Sequence, residues 1–189
     1  MNFEILKNLP VYNLDKELNK LLESNVVQWH TARDQICINT TKDELDNYNY
    51  GRGSLWYDWD KAYHDKNNEL VVPTRKKPLF EKDFSFLCTV FVDTLFEEVY
   101  RALEKNYVLG RVRIMNLHSK NCLTWHKDNS IRVHYPIKTQ EGCLMIIDNE
   151  VKHLEKNTWY RTNTLKHHTV LNGSKEDRLH LVATVLEEK

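Results

Sequence analysis

After Gly110 the chain runs through "RVRIMNL", "IRVHYPI", "GCLMIID", "TWYRTN", "HHTVLN" and "RLHLVATVL". Each of these is a short strand-like segment, separated from the next by a polar turn and never by a helix. A succession of short strands without intervening helices predicts an antiparallel sandwich or barrel. Val112, Ile114 and Leu117 set against Arg111, Arg113 and Asn116 give the first segment a rough alternation of apolar and polar residues.

The N-terminal half has a different texture. "LDKELNKLLES" (14–24) places Leu14, Leu18, Leu21 and Leu22 at helical spacing. "VVQWH" and "QICINTT" read as short strands, and residues 42–81 are polar, aromatic and irregular. In "DFSFLCTVFVDTLFEEVYRALEK" (83–105), Leu87, Phe91, Leu95, Val99 and Leu103 recur every four residues, which predicts one long helix with a buried stripe. No repeat or linker divides the chain. The expectation is a single α+β domain over 1–189. Residues 1–106 form a helical and irregular support with a candidate substrate loop, packed outside a double-sheet barrel core at 107–189.

Composition removes some function classes. Lys plus Arg and Asp plus Glu both number 27, so the net charge is zero, which argues against a dedicated nucleic-acid binder. No run of 18 apolar residues spans a membrane. The N-terminus lacks the pattern of a signal peptide, and the four cysteines form no CxxC pair. A cytoplasmic protein with reduced thiols is expected.

Seven of the nine histidines follow residue 117, so the chemistry is expected there. In "TWHKDNS" (124–130), His126 and Asp128 are two apart, and on a strand both would leave the same face. An imidazole and a carboxylate on one face are two ligands for a divalent metal, and a second histidine would complete a facial triad with open positions. His134, His153, His167, His168 and His180 are the candidates downstream, with "HHTVLNGSKEDR" best placed to return across the barrel. Arg178, in the apolar strand "DRLHLVATV", needs an anionic partner, because a lone buried charge is costly. A carboxylate fits a guanidinium best.

The ordered set His126-x-Asp128, Arg132-x-His134-x-Pro136, His168-Thr-Val-x-Asn172 and Arg178-x-His180-Leu181 resembles the aspartyl/asparaginyl β-hydroxylase-like family of Fe(II)/2-oxoglutarate-dependent oxygenases, over roughly residues 107–186. The resemblance implies a double-stranded β-helix, cupin-like barrel. It implies that His126, Asp128 and His168 bind iron and carry the catalytic centre, the ten-residue interval to Arg178 favouring His168 over His167. Arg178 is then expected at the distal carboxylate of 2-oxoglutarate, with Arg132 and His134 near its other carboxylate. With O2 as oxidant, the implied activity is hydroxylation of an amino acid, or of an amino-acid side chain in a peptide or protein, with succinate and CO2 as co-products. Asp128 makes the chain look more like the bacterial members, which include free-proline hydroxylases, than the animal peptidyl hydroxylase.

Other residues have plainer readings. His118 and His153 are expected at the surface or in structural bonds, Trp125 in the core, and His180 either beside the co-substrate or satisfied in the core. Arg111 and Arg113 either hold a substrate carboxylate or line the outer surface. The aromatic stretch "YNYGRGSLWYDWD" (48–60) is either a loop over the site or a packed surface loop. Two rivals stand beside the hydroxylase: a non-catalytic cupin-like metal- or ligand-binding module, and the same chemistry on a nucleobase or small metabolite.

Overall fold

Alternation along the C-terminal strands sorts their side chains onto two faces, and the fold follows from where each face is buried. The structure is a computed structural model and describes residues 1–30 and 34–189. In chain order the elements are β1 (Phe3–Ile5), α1 (Leu14–Glu23), β2 (Gln35–Cys37), β3 (Asn39–Thr40), β4 (Tyr63–His64), β5 (Leu70–Val71) and β6 (Phe86–Leu87). There follow α2 (Leu95–Asn106), β7 (Tyr107–Leu117), β8 (Asn121–Cys122), β9 (Arg132–Lys138), β10 (Cys143–Ile147), β11 (Glu150–His153), β12 (Tyr160–Thr162), β13 (His168–Asn172) and β14 (Arg178–Glu188).

Two antiparallel sheets dominate. The larger has the order β1-β12-β9-β14-β7-β2 and the smaller β11-β10-β13-β8. One face of the larger sheet carries Val112, Ile114, Val133, Tyr135, Ile137, Leu181 and Ala183, which join Leu14, Leu18 and Leu21 of α1 and Phe96, Val99, Tyr100 and Leu103 of α2 in the main core. Each fully buried side chain of this size contributes about 1.5–3 kcal/mol. The opposite face meets the smaller sheet through Phe3, Leu117 and Tyr160, packed against Met145, Ile147 and Val170. The result is three layers: helices, large sheet, small sheet. No helix among the described residues is long and apolar enough to cross a membrane.

The six strand segments after Gly110 and the α1 helix form where the alternation and the leucine spacing place them. The long helix over 83–105 does not. Only Leu95–Asn106 is helical, because Asp93 takes a positive φ of 60° and the Thr94 hydroxyl accepts the Phe96 N–H at 3.2 Å as the helix cap. Upstream, Leu87 pairs in β6 with β3 and Phe91 lies in a short 3₁₀ turn, so the four-residue period ran across a break. The buried stripe of α2 is Phe96, Val99, Tyr100 and Leu103. "VVQWH" forms no strand; Val27 is buried and Trp29 packs against the helical core.

Candidate active site

A cavity of about 620 Å³ opens between the two sheets. Its floor on the large sheet follows from a period of two. Arg111, Arg113 and Met115 of β7, and Arg132 and His134 of β9, point to it, while the intervening residues face the helices. Val182 of β14 stands in register with both Arg113 and His134, so three strands contribute to one transverse row.

The small sheet supplies the other wall. His168 begins β13 and forms an isolated antiparallel bridge with His126, each backbone N–H donating to the other's carbonyl at 3.1 and 2.8 Å. Residues 124–130 are therefore not a strand, and the shared face of His126 and Asp128 has another origin. The Asp128 N–H donates to the Thr164 carbonyl at 2.9 Å, and the Thr164 hydroxyl donates to the Ser130 carbonyl at 2.7 Å. These bonds fold the short loop so that both side chains turn inward.

The two imidazole rings stand 4.3 Å apart by their centroids. The Nδ1 of His126 bonds the Thr124 carbonyl at 2.6 Å, and the Nδ1 of His168 bonds the Lys166 carbonyl at 3.0 Å. A carbonyl only accepts, so each Nδ1 carries a proton, the tautomer that in a neutral ring leaves the lone pair on Nε2. Burial pushes the His168 ring below its ordinary pKa, favouring that neutral form. Asp128 Oδ2 lies 3.6 Å from His168 Nε2. Ligand-capable atoms of His126, Asp128 and His168 all fall within 4.8 Å of one another.

Arg132 contacts this group directly. Its Nη2 is 3.1 Å from Asp128 Oδ1, and its Nη1 donates to the Ser130 carbonyl at 2.9 Å. His134 is buried, and neither of its ring nitrogens has a partner among the described residues. Burial, and then the charge of Arg178, pushes it well below the ordinary histidine range, so it is neutral.

Arg178 lies outside the cavity lining. It is 5% exposed, and its Nη2 meets His180 Nδ1 at 2.8 Å. It forms no ion pair with its neighbours Glu176 and Asp177, which bond Lys138 and His118. Burial lowers its pKa to about 9. His180 stands beside it with Nε2 unpartnered and its ring nearly perpendicular to that of His134, the centroids 5.8 Å apart. A cluster of two neutral imidazoles and one guanidinium thus sits between the sheets with no acid to balance it among the described residues.

The remaining expectations resolve individually. His167 is exposed and stacks on Trp125 with centroids 6.0 Å apart, so it is turned away from Asp128. Trp125 is 52% exposed and is not a core residue, because its neighbour His126 takes the inward direction. His118 bridges Asp34 and Asp177 at the surface, and His153 Nδ1 bonds the Cys143 carbonyl. Arg111 and Arg113 are both buried, not on an outer surface. The aromatic stretch 48–60 borders the cavity through Gly53, Ser54, Leu55 and Trp56. Sequence reasoning missed Glu81, whose carboxylate clasps Arg111 at 2.7 Å; burial raises its pKa, but the Arg111 hydrogen bonds outweigh that and hold it at about 2. Nothing in the residue order links positions 30 apart in this way.

Comparison with solved structures finds partial likenesses. The chain is similar to AerE from Microcystis aeruginosa (18% identity, TM-score 0.36, covering 41% of this chain and 36% of that one). It is also similar to a 2OG-Fe(II) oxygenase family oxidoreductase from Burkholderia pseudomallei (17%, 0.36, 41% and 43%). A cupin domain from Bordetella pertussis Tohama I aligns at 16% identity and TM-score 0.36, covering 41% of this chain and 81% of that one. The chain thus spans less than half the length of the first two. Among curated proteins no relative matches. The match that carries weight is to the family described as aspartyl/asparaginyl beta-hydroxylase, which extends over residues 13–188, α1 to β14. The chain belongs to the aspartyl/asparaginyl β-hydroxylase family.

Proposed function

We propose that this chain is an Fe(II)- and 2-oxoglutarate-dependent hydroxylase of an amino acid, or of an amino-acid side chain in a peptide or protein. The observation that carries the reading is the convergence of ligand-capable atoms of His126, Asp128 and His168 within 4.8 Å of one another, with the Nδ1 of both histidines tied to carbonyl oxygens. Second-sphere bonds of this kind fix the tautomer and aim the ring of a ligating histidine. Two neutral imidazoles and one carboxylate fit iron(II) and leave a net positive charge and open positions for a chelating co-substrate and O2. The unbalanced guanidinium of Arg178, with the orphan nitrogens of His134 and His180, fits the dianion 2-oxoglutarate. The proposal takes the two sheets as a double-stranded β-helix. It treats residues 1–189 as one unit, with 1–106 supporting a barrel at 107–189.

When bound, iron(II), 2-oxoglutarate and O2 supply the oxidising power, releasing succinate and CO2 while one oxygen atom enters an unactivated C–H bond. The chain's own residues do the rest. His126, Asp128 and His168 hold the metal, and Arg132 orients the Asp128 carboxylate through the 3.1 Å contact. Arg178 receives the distal carboxylate of the co-substrate, steadied by His180. His134 stays neutral and offers a ring N–H toward the co-substrate side.

An anaerobic titration with iron(II) and then 2-oxoglutarate tests this. A visible charge-transfer band in the wild type that is lost in His126→Ala supports the chelate. A folded, metal-loaded protein that never shows the band would be a non-catalytic binding module. Mass analysis for the gain of one oxygen, on amino-acid, peptide and nucleic-acid panels, then separates substrate classes.

A further inference from the structure

Two arginines of β7 face the cavity, and their surroundings differ. Arg111 is paired with an acid. Its Nη2 and Nε donate to Glu81 at 2.7 and 3.1 Å, and its Nη1 donates to the carbonyls of Gly51 and Gly53 at 2.6 and 2.7 Å. Arg113 is 7% exposed and has no acidic partner at ion-pair distance among the described residues. Its Nη1 donates to Gln35 Oε1 at 3.0 Å and to the Gly53 carbonyl at a longer 3.4 Å, and its buried Nε has no partner. Burial lowers its pKa to about 9, which leaves it charged at neutral pH. A guanidinium removed from water without an anion carries a standing cost, and such groups persist where something anionic completes them.

The nearby acids are engaged. Glu81 is held by the Arg111 side chain and by the Arg111 backbone N–H at 2.9 Å. Asp128 is held by Arg132. The missing anion must therefore come from outside the described chain.

We propose that Arg113 receives a carboxylate of the substrate, so that the substrate class is a carboxylic acid held on the large-sheet side of the cavity. The assignment rests on the hydroxylase reading and deepens it. A planar guanidinium pairs with a carboxylate through two parallel bonds. One arginine among neutral amide and carbonyl groups suits a monoanion better than a phosphate. Arg113 and His134 share the row through Val182, so their backbones stand roughly 10 Å apart at ~4.8 Å per strand, with the cavity open to both. That spacing and the volume of about 620 Å³ admit an amino-acid-sized acid beside the iron centre. The carboxylate has three sources: the α-carboxylate of a free amino acid, the C terminus of a peptide, or an internal acidic side chain.

The test uses wild type, Arg113→Gln and Arg113→Lys with matched probes. These are free L-amino acids against their primary amides, peptides with free against amidated C termini, and peptides with an internal Asp against Asn. Affinity is read by anaerobic calorimetry in the presence of iron(II) and 2-oxoglutarate, oxidation by the gain of one oxygen on admitting air, and the chelate by its charge-transfer band. One acid series should bind wild type at least ~30-fold more tightly than its amide partners. Arg113→Gln should lose that preference with the band and the 2-oxoglutarate requirement unchanged, and Arg113→Lys should keep part of it. The acid series that responds identifies the source. Equal affinity for acids and amides in wild type overturns the proposal, as does a preference that survives in Arg113→Gln. Loss of the band in Arg113→Gln at saturating 2-oxoglutarate would make Arg113 a co-substrate residue and overturn it too. If the band is absent from wild type, the hydroxylase reading fails, while the acid–amide comparison still decides Arg113. If Arg113→Gln does not fold, Arg113→Lys carries the comparison, and an acid preference there as large as that of wild type overturns the proposal.

Discussion

Arg132 Nη2 stands 3.1 Å from one oxygen of Asp128, while the other oxygen faces His168 Nε2 at 3.6 Å. One carboxylate thus joins an arginine of the large sheet to a histidine of the small one. The Arg132 fork is further occupied by the Ser130 carbonyl, so contact with a co-substrate carboxylate would compete with bonds already made. Removing the charge in Arg132→Met is expected to weaken iron(II) binding by about 10- to 100-fold, the usual effect of losing a group that orients a metal ligand. Competition with a chromogenic chelator measures it. A raised 2-oxoglutarate requirement with unaltered iron affinity would move Arg132 to the co-substrate.

Adjacent histidines provide a sharp contrast. His168→Ala and His126→Ala should each eliminate the charge-transfer band and turnover, whereas His167→Ala should leave the band intact, because His167 is turned outward onto Trp125. Full activity in either of the first two would remove the assignment of the metal centre.

Arg178→Ala should raise the 2-oxoglutarate requirement by roughly 30- to 1000-fold, the loss expected for a partly buried arginine–carboxylate pair. Iron affinity should change little, since Arg178 bonds His180 and no residue of the His126–Asp128–His168 group. A co-substrate titration followed at the charge-transfer band separates the two effects, and an unchanged requirement makes Arg178 structural.

His118 links Asp177 at 2.9 Å to Asp34 at 2.7 Å, tying the end of β7 to the segment before β2 and to the turn before β14. The hydrogen bond with Asp177, ahead of the charges of both aspartates, raises its pKa above 6.5. A raised folded-state pKa stabilises fully below the unfolded value and is lost as pH rises through the folded one. His118→Ala should therefore be less stable than wild type near pH 5–6, by up to ~1 kcal/mol for so exposed a pair. The difference should fade above neutrality. Denaturant melts at pH 5.5 and 8.5 check it, and a constant difference across that range would exclude a charge-dependent clasp.

Legibility in the sequence varied with the range of the interaction concerned. In β9 the alternation alone sorts Arg132 and His134 from Val133 and Tyr135, and the structure sends the first pair to the cavity and the second to the helices. His126 and Asp128 were readable as a pair by residue type, but the strand inferred for them was not formed. What turns them inward is the bridge to His168 and the bond to Thr164, partners about 40 residues away. The helix over 83–105 failed at Thr94, where a capping hydroxyl and a left-handed Asp93 outweigh a recurring apolar residue. Whether Arg111 and Arg113 faced solvent or a cavity depended on which sheet covers β7, and that is a property of the assembled layers.

The reciprocal backbone bonds between His126 and His168 have a consequence for how the protein matures. These main-chain bonds join the loop after β8 to the start of β13 and need no ion to form. If His126 and His168 hold iron as proposed, two of its ligands are aligned by main-chain bonds, and a metal removed by a chelator should be regained without refolding. Under that same assignment, a receptacle aligned by main-chain bonds would take whichever divalent ion its surroundings supply, and zinc or nickel would compete with iron on affinity alone. Which ion the purified protein carries would then report the history of its expression host.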